Sequence, residues 1–438
     1  MTLQTAKETI YSAAVRGRLA KSNEPVWLKM LRENAINRFT EIGFPAVENE
    51  DWKYTNVAPF LRDEFEISVA SETIESEKFA ELDLPETANS RLVFVNGKFD
   101  AALSNVAGVA GAGHVLTLTE ALQTENFAEI IKQNLARGID YHRNGFAALN
   151  AALWHDGAFI FVPKNSKIDA PVEFLFVNTG ENTASFPRVL IVLERGAEAT
   201  VVESYARTAE TKYFTDTAVE IVLADDARLT HIRTQRESHA ALHVGATNVS
   251  LGRNSFYDST NITLGAALSR HDVDAKFNAT GAEAFVDGMY LVSDAQHADT
   301  HSIIDHVVPN CVSHQTYKGI LNGKARAVFN GKIFVREHAS GTNGYQSNKN
   351  LLLSNDARVD TKPQLEIFND DVKCSHGATV GQLEEEELFY LLSRGLSEQL
   401  ARNLLTYGFA EEVINKIKIE SIKQQLDAAV LNRLDAKF

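Results

Sequence analysis

Cysteine is nearly missing from this chain: there are 2 in 438 residues, Cys311 and Cys374. Two thiols make no disulfide framework, and their scarcity fits a reducing cytosol. A surplus of positive charge is missing too. The net charge is -15, which argues against general nucleic-acid binding, because phosphates need a basic surface. It favours solubility and leaves room for a basic protein partner. The opening MTLQTAKETIYSAAVRGRLA has no apolar h-region, so no secretory signal is expected. No apolar run approaches the ~18 residues that span a bilayer. The expectation is a cytoplasmic protein with neither membrane nor nucleic acid as partner. CxxC, HExxH, GxxxxGK(S/T) and GxSxG are all absent. Nothing in the chain forms a catalytic constellation, so a non-enzymatic role is expected over an enzyme.

What is present is an ordinary globular composition, 44% hydrophobic and 23% charged. The length suggests two to four domains and suffices for a core without disulfides or a structural metal. Helical periodicity marks residues 1 to about 45, through Leu3, Ala6, Ile10, Ala13 and Ala14 and again Trp27, Leu28, Leu31 and Ile36, with a stop at Gly43 and Pro45. ENEDWKYTN (48–56) reads as a turn with Trp52 and Tyr54 packed inward. RLVFVNGKFDAAL (91–103) is a hairpin signal around Asn96-Gly97. FAEIIKQNLA (127–136) reads as a helix. From about 170 to 380 short alternating strands dominate, with no room between them for ordinary helices, which excludes a βαβ sheet.

A weak repeat runs through this β region. Asp226, Asn254, Gly281 and Asn310 are spaced by 28, 27 and 29 residues, Ala339 continues the series, and Asp294 and Gly323 fall near midway. Turns of that size holding two strands suggest a flat β-helix or similar solenoid, with a β-sandwich as the alternative. Helix returns at the end. LEEEELFYLLSRG stops at Gly395, Ser397 caps EQLARNLLTYG, and a third helix is expected from Ala410 with Val413, Ile414, Ile417 and Ile419 as its apolar stripe. The run Glu384–Glu387 suits the positive end of a helix dipole better than a metal site. The division is therefore 1–85 helical, 86–165 a mixed α/β lead-in, 166–382 the β core and 383–438 helical.

DDVKCSHGATVG (370–381) places Cys374 two residues before His376. On a strand, i and i+2 share a face about 7 Å apart, where a thiolate and an imidazole can address one iron, zinc or cluster. Two ligands do not close a tetrahedral site, so the rest must come from water, a distant residue or a second protein. The pair lies where the β region ends, and the last turn of a solenoid leaves an edge to be capped or joined. The competing reading makes Cys374 a small core residue and His376 a surface group. His301, His306, His314 and Cys311 form a weaker candidate cluster, and Cys311 would approach Cys374 only from a neighbouring turn.

The run VDTKPQLEIFNDDVKCSHGATVGQLEEEELFYLLSRGLSEQLARNLLTYGF (359–409) resembles the C-terminal signature of the SufB/SufD family of iron–sulfur cluster assembly proteins. YKGILNGKARAVFNGKIFV (317–335), SNKNLLLS (347–354) and EDWKYTN (50–56) extend the resemblance over essentially the whole chain. The resemblance implies a mainly β protein: a right-handed parallel β-helix core flanked by N-terminal and C-terminal helical domains. It implies pairing with a SufB-like protein through the β-helix ends, and one SufC-like ATPase held by the C-terminal helices. Carried over, the CSH motif is Cys374 and His376, facing the SufB-like partner. His376 is then the stronger ligand candidate and Cys374 a supporting one, for a transient cluster or iron shared with that partner and not held tightly by the isolated chain. Phe389, Tyr390, Leu391, Leu404, Leu405 and Phe409 are apolar enough to anchor the ATPase, or else simply pack the terminal helices together. The CSH form, without a cysteine-rich N-terminal insert, points to the SufD side of the family. The family's sulfur-accepting cysteine belongs to the SufB side, so no persulfide is assigned here. A homodimer in isolation stays open. So do two other readings, a stand-alone metal-binding or delivery protein and a secreted β-helix polysaccharide enzyme.

Overall fold

The computed structural model describes residues 3–20, 22–63, 65–67 and 73–433. Its centre is a parallel β-solenoid of about 8 turns. Strands alternate between two sheets. Sheet A carries Gly157–Val162, Arg188–Leu193, Tyr213–Leu223, Leu242–Leu251, Leu268–Phe277, His297–His306, Arg326–Val335 and Arg358–Ile367 in that spatial order. Sheet B carries Arg91–Val95, Val172–Asn178, Glu198–Arg207, Arg228–Arg236, Phe256–Thr263, Glu283–Val292, Val312–Leu321, Thr342–Leu352 and Val372–Gly381. Parallel pairing begins inside the segment read as a lead-in: Gly157–Val162 pairs with Arg188–Leu193, and Arg91–Val95 with Val172–Asn178.

The corner from sheet A to sheet B explains the repeat. Each coil turns through one left-handed residue there: Asp226, Asn254, Gly281 and Asn310, with φ of 60°, 53°, 77° and 59°. Only Gly, Asn and Asp adopt this conformation readily. The residues stack as a hydrogen-bonded spine. Asp226 N–H donates to Arg253 O (2.7 Å), Asn254 N–H to Thr280 O (3.1 Å) and Asn310 N–H to Ser340 O (2.8 Å). One expected member is corrected. The left-handed residue of the next coil is Gly341, not Ala339, because the corner spanning 336–341 is longer than the earlier ones. Asp294 and Gly323 are left-handed at the opposite corner.

Ten helices frame the solenoid among the described residues: α1 (Leu3–Leu19), α2 (Val26–Ile42), α3 (Ala58–Arg62), α4 (Ser76–Ala80), α5 (Leu118–Gln123), α6 (Glu125–Asn134), α7 (Gly145–Leu153), α8 (Glu385–Ser393), α9 (Glu398–Ile414) and α10 (Glu420–Arg433). The N-terminal helices cover the outer face of sheet A. Leu28, Phe39, Phe60, Phe146 and Trp154 pack there against Leu190, Phe214 and Leu242. Trp52 is buried as expected, but Tyr54 is 43% exposed. Trp52 instead lies beneath the Arg270 guanidinium, 3.8 Å from its ring centroid.

α9 and α10 cover the outer face of sheet B. Val413, Ile414, Ile417, Ile422 and Leu426 pack against Val202, Ile232, Ile262, Met289 and Ile320. Here too a boundary is corrected. α9 runs through Gly408 to Ile414, and the third helix begins at Glu420, not Ala410. Gly408 is exposed, where it weakens the helix by about 1 kcal/mol. Burial of Ala410, Val413 and Ile414 outweighs that at roughly 1.5–3 kcal/mol for each large side chain. No helix among the described residues is long and apolar enough to cross a membrane.

Candidate functional site

Among the described residues the strand Val372–Gly381 is the last of sheet B and pairs only with Thr342–Leu352; Arg358–Ile367 is likewise the last of sheet A. Together they form the open end of the solenoid. In register, Cys374 lies over Gly344 and His376 over Gln346. Alternation puts Val372, Cys374 and His376 on the lumen-facing side. Val372 and Cys374 are half-buried and pack on the interior core, as does Leu365 from the other sheet, while His376 is exposed. Burial pushes the Cys374 thiol pKa up, against a smaller opposing effect of the Gly344 backbone N–H. In the isolated chain it is therefore a thiol, not a thiolate. The mouth also exposes apolar side chains: Ile367, Phe368 and Val380.

The second thiol is elsewhere. Cys311 is fully buried at the corner, in a column of small residues with Ala227, Ser255, Ala282 and Thr342. By register it sits two coils below Val372, about 12 Å from Cys374 at strand spacings, and both cysteines are free. The histidines of 301–314 also diverge. His301 pairs with Asp299 at 3.0 Å on the outer face. His306 is buried inside, stacked on Phe277 and bonded to Ser313 (2.9 Å). His314 stacks on Phe285 on the outside of sheet B. Among the described residues no three His, Cys, Asp or Glu side chains are gathered to hold a metal. The pair at the open end therefore offers two soft or borderline ligands and open space beyond them. That arrangement suits a site completed from outside.

The apolar candidates near the C-terminus separate into two groups. On α8, Phe389 is 71% and Tyr390 56% exposed, with Leu391 half-buried. No α8 side chain is buried. On α9, Leu404 is 40% exposed, while Leu405 is half-buried. Phe409 faces the solenoid beneath Lys318, whose Nζ is 4.3 Å from its ring centroid. Leu404, Leu405 and Phe409 line a groove of about 680 Å³ shared with Leu351, Val380 and Leu383. The N-terminal EDWKYTN motif also reaches this half of the molecule. Thr55 Oγ1 donates to Asp299 (2.6 Å), and Glu50 accepts from Lys362 Nζ (2.9 Å) on the last strand of sheet A. Sequence reasoning missed this clamp because Arg270 and Asp299 lie more than 200 residues from the motif.

Comparison with known proteins accounts for both halves of the chain. Residues 176–409 match the family described as SUF system FeS cluster assembly, SufBD core domain, and residues 9–174 match the SufBD protein N-terminal region. The chain belongs to the SufB/SufD family. An iron–sulfur cluster assembly SufBD family protein of Synechocystis sp. is 34% identical over 91% of this chain and 89% of its own length. The iron–sulfur cluster assembly protein SufD of Escherichia coli is 32% identical over 91% of each chain. SufD of Bacillus subtilis is 29% identical over 98% of this chain and 99% of its own. Within the SufB/SufD family the chain is thus SufD-like, a protein of iron–sulfur cluster assembly.

Proposed function

We propose that this SufD-like chain is a non-catalytic scaffold subunit that shares a site for iron or a nascent iron–sulfur cluster with a SufB-like partner at the open end. One observation carries the reading: among the described residues the CSH strand is the last of its sheet, with an unpaired edge and with His376 exposed. An unpaired parallel edge rimmed by Ile367, Phe368 and Val380 favours a second chain docking there. Docking covers His376 and Cys374 and adds the ligands that two side chains lack. Iron and sulfide are the substrates of this site. His376 would supply an imidazole nitrogen to the iron, and Cys374 a thiolate whose proton is released as iron binds.

A separate SufC-like ATPase docks on the exposed apolar face of α8 and α9, with Phe389, Tyr390, Leu391 and Leu404 as outer anchors and Leu405 and Phe409 deeper in the groove. Only residues 382–384 separate the CSH strand from α8. A displacement of α8 by nucleotide-dependent movement of the ATPase therefore pulls directly on the strand that holds His376. The nucleotide must favour one state of the ATPase for this to do work on the site.

The test is co-expression with the SufB-like and SufC-like proteins of the same organism and a mass by light scattering. The expected result is one copy of this chain, one SufB-like chain and two ATPase chains. On anaerobic reconstitution, His376→Ala should lose cluster absorbance while the complex keeps its mass. A chain that stays alone contradicts the scaffold reading. Stoichiometric iron bound by the isolated chain would favour the stand-alone metal-binding reading instead.

A further inference from the structure

Beneath His376 the lumen holds a short amide ladder. Gln315 pairs in register with Gln346, and Gln346 with His376. Both glutamines are fully buried. Gln346 Nε2 donates to Gln315 Oε1 at 2.7 Å, which fixes the direction of the ladder. A primary amide that donates along the coil axis to one neighbour turns its carbonyl toward the other. Gln346 Oε1 is therefore not engaged by Gln315, and the next rung toward the open end is His376. That Oε1 is buried and has no hydrogen-bond partner among the described residues, a state that costs about 1–3 kcal/mol for a neutral group. The opposite wall is shaped to this amide. A Cβ on Gly331 of sheet A would lie 2.3 Å from Gln346 Nε2 and 2.8 Å from its Cδ.

We propose that Gln346 is the positioning residue for His376: its Oε1 accepts one imidazole N–H, so that the other ring nitrogen, unprotonated, faces out of the open end. The inference rests on the reading of His376 as a ligand. It supplies what that reading lacks, a group that selects the tautomer and orients the lone pair. Metal-bound histidines ordinarily have such a partner on their second nitrogen. Gln315 acts one rung further down, holding Gln346 in the orientation that presents its carbonyl.

The test is two-bond ¹H–¹⁵N correlation NMR on the full-length chain labelled with ¹⁵N-histidine, at alkaline pH. The His376 signal is assigned by its loss in His376→Gln. The expected result is a single tautomer in the wild type, a mixture in Gln346→Leu, and a single tautomer again in Gln346→Glu, which keeps the acceptor. Co²⁺ binding by the complex with the SufB-like protein, followed by visible absorption, should weaken about 10- to 100-fold in Gln346→Leu. An unchanged tautomer in Gln346→Leu overturns the proposal. If that variant does not fold, Gly331→Ala displaces the amide from the opposite wall and must give the same loss of the single tautomer; no change there overturns the proposal equally. A tautomer locked by Gln346, with no Co²⁺ bound by that complex, would keep this inference and remove the ligand reading. Co²⁺ bound through His376 with the same affinity and tautomer in both forms would do the reverse.

Discussion

Gly344 sets how deep the Cys374 thiol lies. A Cβ there would stand 3.3 Å from Sγ, inside ordinary contact distance. With burial raising its pKa, Cys374 should alkylate more slowly than a free cysteine at neutral pH, and Cys311, fully buried and also raised by burial, should not react until the chain unfolds. Gly344→Val should push the thiol toward solvent and speed its alkylation severalfold, read by mass spectrometry of native and unfolded samples. Equal rates for Cys311 and Cys374 in the native protein would contradict this account of burial. The i, i+2 spacing of Cys374 and His376 was legible in the sequence because strand alternation is local. The depth of Cys374 and the amide under His376 were not, since Gly344 and Gln346 lie about one coil earlier and only the register of the sheet brings them there.

At the scale of elements, the C-terminal helices divide into an anchored part and a free part. α9 and α10 are held to sheet B by apolar packing, by Lys318 paired with Glu412 and by Lys416 paired with Asp287 at 2.5 Å. α8 buries none of its side chains. Leu404→Asp should therefore abolish ATPase binding, measured by co-purification, and leave the melting temperature of the isolated chain within experimental error. Ile414→Ala should do the opposite. It removes a fully buried side chain from the α9–sheet B contact and should destabilise the chain by about 2–5 kcal/mol in denaturant titration. Undiminished ATPase binding by Leu404→Asp would remove Leu404 from the anchors. The helix caps at Ser397 and Gly395 were readable in the sequence; Ser397 Oγ accepts from Leu400 N–H (3.3 Å) and Gly395 is left-handed at φ 92°. The continuity of α9 through Gly408 was not, because tertiary burial overrides a weak local breaker.

At the scale of the whole molecule the repeat was legible because each coil needs a left-handed residue at its corner, and few residue types provide one. The interior was less legible. The lumen carries buried histidines among apolar and polar columns, and nothing local in the sequence marks them as interior. Burial pushes His306 down to about 4 and holds His271 well below its ordinary value. A base whose pKa is lowered by folding binds more protons when unfolded, so stability falls as pH drops from about 6.5 toward 4. For His306 the loss is on the order of 3 kcal/mol across that window. Thermal melts between pH 7 and pH 4.5 should show this decline, and His306→Gln should flatten it. An identical slope in the variant would show that folding does not lower the pKa of His306.

The most direct measurement of the central claim is hydrogen–deuterium exchange of this chain alone and with the SufB-like protein of the same organism. The account predicts new protection confined to the two terminal strands, Arg358–Ile367 and Val372–Gly381, as their free edges are covered. Protection elsewhere with these strands unchanged would contradict a shared site at the open end.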